Sequence, residues 1–239
     1  MIIIPARLSS SRLPNKVLAA INNKPMIIWC AEVAAKVDEV CIATDSEEVI
    51  QTAEKYGFNA VMTDKNHQSG SDRIKEAADI LGLEKDDIVI NMQGDEPFLE
   101  PEILQKVKDK LIEIKNRDFA MVSCYKKITE LQAEDPNLVK VILDKNSDAI
   151  YFSRSKIPFN RDNATHQYFG HIGIYGFIKK SLDEFVTLKG HLEHIEKLEQ
   201  LRVIENGKKI AMIEVETKSF GIDTKEDLEK ARNYAKSSH

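Results

Sequence analysis

Short uninterrupted apolar runs alternate with amphipathic stretches through the first half of the chain. Residues 1–4 and 40–43 are such runs, and 59–62 and 88–92 are apolar apart from Asn59 and Asn91; each reads as a strand of a sheet covered on both faces. Between them the apolar positions recur at helical spacing. Residues 25–35 form one such stretch, with Pro25 in its first turn. Residues 46–56 form a second, which Asp45 or Ser46 can cap and Gly57 ends. Residues 72–81 stop at Gly82, and residues 102–115 follow Pro101. Alternation of two-sided strands with helices predicts an α/β fold with a mainly parallel sheet covered on both faces.

The pattern changes after residue 118. Residues 119–125, 139–143, 149–152 and 169–178 read as strands with no long helix between them. A helix over 192–205, a strand over 210–215 and a last helix over 224–235 complete the chain. With no repeat and no low-complexity linker, residues 1–239 are expected to form one domain with an antiparallel excursion near 120–190.

Composition narrows the classes. The 239 residues are 42% hydrophobic, enough for a sizeable core. Their 34 basic and 39 acidic side chains give a net charge of -5, which argues against a nucleic-acid binder working through a broad basic field. A small anion held by a few local cations remains compatible with it. Cys30, Cys41 and Cys124 form no CxxC pair and read as buried, reduced thiols. No apolar run approaches the roughly 20 residues of a membrane span, and the first residues lack a signal-peptide pattern. The expected location is cytoplasmic, without membrane insertion.

Open α/β sheets bind ligands beyond the carboxyl ends of their strands, so the polar segments 5–16, 44–45 and 93–97 come to the fore. The first carries Arg7, Ser9, Ser10, Ser11, Arg12 and Lys16. Arginine offers phosphate a fork of donors and lysine a point charge, so this is either a polyphosphate cradle or a solvated basic loop. It contains no glycine, so it is neither a Walker loop nor a dinucleotide fingerprint. In NMQGDEPF, residues 91–98, Asp95 can hold a hard cation beside a phosphate, or the Gly-Asp pair is an ordinary turn. In FGIDTKEDL, residues 220–228, Asp223 is either a metal ligand or a partner of Thr224 in capping the last helix. Two carboxylates and a cationic loop together favour a triphosphate–Mg²⁺ site more than any one of them does.

The segments PARLSSSRLPNK, ATDSEEV, HQSGSDR, NMQGDEPF, YFSRSKIPF, HIGIYGF, LEHIEKLEQLR and IDTKEDLEKAR follow one another in this order. From residue 2 to about residue 232 the chain thereby resembles the 3-deoxy-manno-octulosonate (Kdo) cytidylyltransferases, or CMP-Kdo synthetases. The first loop and the GDEP segment recur across sugar nucleotidyltransferases; the second-half segments are narrower. The resemblance implies a Rossmann-like nucleotide-diphospho-sugar transferase fold, with the antiparallel excursion used for dimerisation. It implies transfer of CMP from CTP to the anomeric hydroxyl of Kdo, releasing pyrophosphate, in a pathway that feeds lipopolysaccharide assembly. A homodimer is expected, its only local support being the apolar, aromatic run near 169–178.

Residue by residue, the resemblance makes Arg7, Lys16, Asp95 and Asp223 catalytic, with Asp95 and Asp223 as Mg²⁺ ligands. It assigns Ala6, Arg7, Lys16, Thr44, Asp45, Ser69, Gly70 and Arg73 to the nucleotide. SGSDR stands where SGTER is common, which leaves a role for Asp72 open. Gln93, Arg154, His171, Tyr175, Glu196 and Gln200 match positions for the acid sugar. Glu196 and Gln200 are i and i+4 within the expected helix and would share a face opposite Leu192, Ile195, Leu198 and Leu201. Without the resemblance, His171 and Tyr175 read as core residues, and His191 and His194 have no third partner for zinc. Two rival readings stay open: a cytidylyltransferase for 8-amino-Kdo or another acid sugar, and a catalytically silent nucleotide-binding module.

Overall fold

The computed structural model describes residues 1–8, 13–67, 69–162 and 164–237. The loop residues Ser9, Ser10, Ser11 and Arg12 lie outside the described residues. In chain order the elements begin with β1 (Ile2–Ala6), β2 (Ala20–Ile21), β3 (Lys24–Pro25), α1 (Met26–Ala34), β4 (Val40–Thr44), α2 (Glu47–Lys55), β5 (Asn59–Met62), α3 (Gly70–Ile80), β6 (Ile88–Asn91) and α4 (Pro101–Ile114). They continue with β7 (Met121–Ile128), α5 (Glu130–Ala133), β8 (Lys140–Leu143), β9 (Ala149–Ser153), β10 (Tyr168–Ile178), α6 (Lys179–Phe185), α7 (Leu192–Glu196), α8 (Leu201–Glu205), β11 (Ile210–Glu214) and α9 (Lys225–Ser237). The chain divides into two compact units, one of Met1–Gln105 with Lys218–His239 and one of Lys106–Thr217.

The first unit holds the parallel strands in the order β6-β1-β4-β5. Ile2, Ile3, Ile4, Ile42, Val89 and Ile90 are buried, as strands covered on both faces require. Ala6 pairs with Thr44 and Thr44 with Met62, while Ile3 pairs with Asn91. The loops after β1, β4 and β6 therefore leave one edge of the sheet. The chain's last segment packs back onto the first. Ile222, Leu228, Ala231 and Ala235 form one apolar cluster with Leu13, Ile21 and Met26, flanked by Trp29, Phe98 and Phe220. Each large side chain buried there contributes about 1.5–3 kcal/mol. This burial fixes where the loop before α9, with Asp223, must run.

The second unit is built on β7, which runs parallel to β11 and antiparallel to β10. β8 pairs antiparallel with both β10 and β9. The antiparallel excursion expected near 120–190 is thus present, within a unit that reaches from 106 to 217 because β11 and the helices before it belong to the same packing. Gly176 on β10 lies against α4: a Cβ there would stand 2.5 Å from Val107 Cγ1 and 2.7 Å from Leu111 Cδ1. In the apolar run near 169–178, Ile172, Ile174, Phe177 and Ile178 are buried.

Three further expectations are corrected. The helix expected over 192–205 is two short helices, because Lys197 takes the left-handed conformation (φ 55, ψ 49) and ends α7. Glu196 and Gln200 do not share a helix face, and Ile195 is exposed rather than buried. Neither Asp45 nor Ser46 caps α2 with its side chain: Ser46 makes no capping bond, and the Asp45 carboxylate serves Leu8 and Arg73.

Candidate active site

The loops leaving β1 and β6 and the loop before α9 bring together Lys16, Asp95 and Asp223, residues far apart in sequence. Lys16 Nζ lies 2.6 Å from Asp95 Oδ2 and 2.9 Å from Asp223 Oδ1. A backbone bond from Ile222 N to Asp95 O, 3.0 Å, stitches the two carboxylate-bearing loops together. Burial by itself would lower the Lys16 pKa. The ion pairs and hydrogen bonds with Asp95 and Asp223 outweigh it and hold the ammonium above the ordinary lysine value.

The donor set suits a hard divalent cation. Two carboxylates already converge on one positive nitrogen, so both can reach a common cation, and Mg²⁺ typically takes one or two carboxylates and completes its shell with phosphate and water. Among the described residues no group of three or more His, Cys, Asp or Glu side chains is placed to hold a metal ion by protein ligands alone. Thr224 and Asp227 cap α9 with reciprocal side-chain and backbone bonds, while the Asp223 carboxylate accepts from Lys16.

The residues expected at the nucleotide fall into two groups. Arg7 is exposed just beyond β1, in line with a role toward phosphate. Thr44, Asp45 and Arg73 form a buried clamp instead. Arg73 donates to Asp45 Oδ2 at 3.1 Å and to Thr63 Oγ1 at 2.5 Å, and Thr63 donates to the Thr44 carbonyl at 2.9 Å. Asp45 Oδ1 accepts from Leu8 N at 3.2 Å, so the clamp ties down the start of the first loop. Ser69 caps α3 by accepting from Asp72 N. Gly70 packs close to Pro5, where a Cβ would stand 3.4 Å from Pro5 Cγ. Thr63 is the residue that sequence reasoning missed here; nothing in its local pattern marks it. Gly94 brings the turn after β6 onto β1, where a Cβ would come within 3.0 Å of Pro5 O. Gln93, the first residue of that turn, is half-buried.

In the second unit, Arg154, His171, Tyr175, Glu196 and Gln200 make two hydrogen-bonded groups. Glu196 accepts from Ser153 Oγ at 2.6 Å and from Arg154 N at 3.0 Å. The Arg154 guanidinium donates to the carbonyls of Glu196, at 2.7 Å, and Pro136, at 3.0 Å. The second group joins Tyr175 Oη to Gln200 Oε1, 3.0 Å, and Gln200 Nε2 to His171 Nδ1, 3.4 Å. His171 is buried, and burial lowers its pKa to about 3, so the ring is neutral. Ser123, which sequence reasoning did not single out, completes this group at His171 Nε2, 2.8 Å away.

A family model described as "Cytidylyltransferase" matches residues 1–210. The 3-deoxy-manno-octulosonate cytidylyltransferase of Nitratiruptor sp. is 53% identical over 232 residues, covering 96% of this chain and 97% of the relative. That of Helicobacter pylori is 54% identical over 236 residues, covering 97% and 96%. A solved structure of CMP:2-keto-3-deoxy-manno-octonic acid synthetase complexed with CTP superposes with a TM-score of 0.93 at 37% identity, covering 100% of this chain and 98% of that one. With half of its residues shared along nearly its whole length, the chain belongs to the 3-deoxy-manno-octulosonate cytidylyltransferase family.

Proposed function

We propose that this chain transfers CMP from CTP to the anomeric hydroxyl of Kdo and releases pyrophosphate, supplying an activated sugar for lipopolysaccharide assembly. The new bond joins the hydroxyl oxygen to the α-phosphorus, the bond to the bridging oxygen of pyrophosphate breaks, and the hydroxyl loses its proton. One observation carries the chemistry: Lys16 is clasped between Asp95 and Asp223 at the carboxyl edge of a parallel sheet. The substrates are those that the relatives' names carry.

Such a displacement asks the protein for alignment and charge neutralisation more than for covalent work. Asp95 and Asp223 would hold Mg²⁺, which neutralises charge on the phosphate oxygens and assists deprotonation of the hydroxyl. Lys16 would offer its ammonium to the triphosphate, where Arg7 would add a forked donor set. The Asp45–Arg73–Thr63 clamp keeps the first loop in place while Ala6, Thr44, Ser69 and Gly70 line the cytidine side. Gln93, Arg154, His171, Tyr175, Glu196 and Gln200 serve the acid sugar, with Arg154 the natural partner of its carboxylate. The enzyme works as a cytoplasmic homodimer in this reading; no described helix is long and apolar enough to cross a membrane. Leu131 and Phe159 are exposed apolar residues of the second unit available for a subunit contact.

The test is pyrophosphate release from CTP with a panel of acid sugars, with and without chelation of Mg²⁺. Kdo should be the preferred acceptor, chelation should stop turnover, and light scattering at micromolar concentration should give a dimer mass. Equal turnover with UTP or ATP, or none with Kdo, would overturn the assignment.

A further inference from the structure

Ser123 lies fully buried on β7, beside His171 on β10. Its Oγ stands 2.8 Å from His171 Nε2, 2.8 Å from the Ile174 carbonyl and 3.3 Å from the Ile172 carbonyl. Both carbonyls belong to the stretch of β10 where the pairing with β7 slips between Ile172 and Tyr175. A hydroxyl has one proton to give, and a carbonyl can only accept. The Ser123 proton therefore goes to Ile174, and what faces His171 is a lone pair.

That single commitment sets the direction of every bond beyond it. A neutral imidazole carries one N–H, and the Ser123 lone pair draws it to Nε2. Nδ1 is then an acceptor, so the Gln200 amide must present its NH₂ group to it. Gln200 Oε1 is left to face Tyr175, whose hydroxyl must donate. With its proton committed, the Tyr175 oxygen can meet a ligand only as an acceptor, which suits a sugar hydroxyl. The opposite tautomer would turn the Gln200 amide round and set the Ser123 oxygen against two carbonyls with no proton between them.

We propose that Ser123 is a positioning residue for the acid-sugar subsite: its hydroxyl fixes His171 as the Nε2–H tautomer and thereby orients Gln200 and Tyr175. The proposal rests on the reading above that His171, Tyr175 and Gln200 serve the sugar. It separates two readings of the cluster that burial alone leaves together, an inert core network and an aligned set of sugar-binding groups.

The experiment is ¹⁵N NMR of histidine-labelled enzyme together with steady-state kinetics. His171→Asn identifies the His171 signals among the 6 histidines. Wild type should show the Nε2–H tautomer. Ser123→Ala should lose that preference and raise KM for Kdo about tenfold, the loss of one buried hydrogen bond, with KM for CTP unchanged. Ser123→Thr, which keeps the hydroxyl, should restore both. Ser123→Cys, with a weaker donor and acceptor of similar size, makes the same comparison if the alanine variant does not fold. An unchanged tautomer in Ser123→Ala or Ser123→Cys overturns the proposal. A changed tautomer with an unchanged KM for Kdo overturns the positioning role. If His171→Asn then also keeps its KM for Kdo, the fault lies with the sugar reading of His171 rather than with Ser123.

Discussion

Thr224 and Asp227 cap α9 reciprocally: Asp227 Oδ2 accepts from Thr224 Oγ1 at 2.8 Å and from Thr224 N at 2.9 Å, and Thr224 Oγ1 accepts from Asp227 N at 3.1 Å. The Asp223 carboxylate, next to this cap, accepts from Lys16. Stability and chemistry should therefore separate across two adjacent residues. Thr224→Ala should cost about 1 kcal/mol of stability and leave turnover nearly intact. Asp223→Asn should melt close to wild type and lose most turnover, as should Asp95→Asn, and the double variant should be little worse because the two act as a unit. Thermal melts and turnover against Mg²⁺ concentration check both. Near-wild-type turnover of Asp223→Asn at limiting Mg²⁺ would remove Asp223 from the metal.

Arg73 should behave as a clamp before it behaves as a ligand. Its side chain is 4% exposed and that of Asp45 12%, so removing the guanidinium strands a carboxylate in the interior. Arg73→Ala should cost about 3–5 kcal/mol, seen as a lower urea midpoint at unchanged m value. It should also raise KM for CTP, because Asp45 then holds Leu8 and the first loop less firmly. Full stability with a raised KM would mean that Arg73 contacts the nucleotide directly.

The parallel half of the fold was legible because strands such as Ile2–Ala6 and Val40–Thr44 are buried on both faces and show it as unbroken apolar runs. The turn chemistry was legible too: Gly57 and Gly82 follow their helices with positive φ. What the sequence hid were choices made by partners distant in the chain. Leu192, Ile195, Leu198 and Leu201 keep helical spacing, yet Lys197 breaks the helix while Glu196 is held by Ser153 and Arg154 and Gln200 by Tyr175. Asp45 looks like a cap because it precedes a helix; only the fold brings Arg73 and Leu8 to it. The site divides the same way. Local motifs point to Lys16, Asp95 and Asp223, while Thr63 and Ser123 carry no motif and emerge only from their hydrogen bonds.

Arg154 donates to carbonyls on either side of it in space, those of Pro136 and Glu196. The planar guanidinium serves both at once, and a lysine ammonium cannot reproduce that fork. Arg154→Lys should therefore fail to restore what Arg154→Ala loses. Both should weaken Kdo binding, by about 2–5 kcal/mol for the alanine if the charge pair with the sugar carboxylate is desolvated. CTP affinity should stay within twofold or so. Calorimetry with each substrate on the folded variants is the measurement, and intact Kdo affinity in Arg154→Ala would take Arg154 out of the sugar site.

His171 should make the protein acid-sensitive in a defined window. Burial lowers its pKa to about 3 in the folded chain, against 6.5 when exposed. Below pH 6.5 the unfolded chain takes up a proton that the folded chain refuses. The stability tied to the neutral ring is therefore complete above pH 6.5 and is lost progressively as pH falls toward about 3, where the folded ring also protonates. Within that window the slope from this one residue approaches about 1.4 kcal/mol per pH unit. The difference between the stability curves of wild type and His171→Asn reads the contribution of His171. Urea unfolding at several pH values from about 7 down to about 4 should show wild type losing stability more steeply than the variant. Parallel curves would mean that the folded ring takes up its proton as readily as the unfolded one, and that the Tyr175–Gln200–His171–Ser123 network does not exclude the imidazolium.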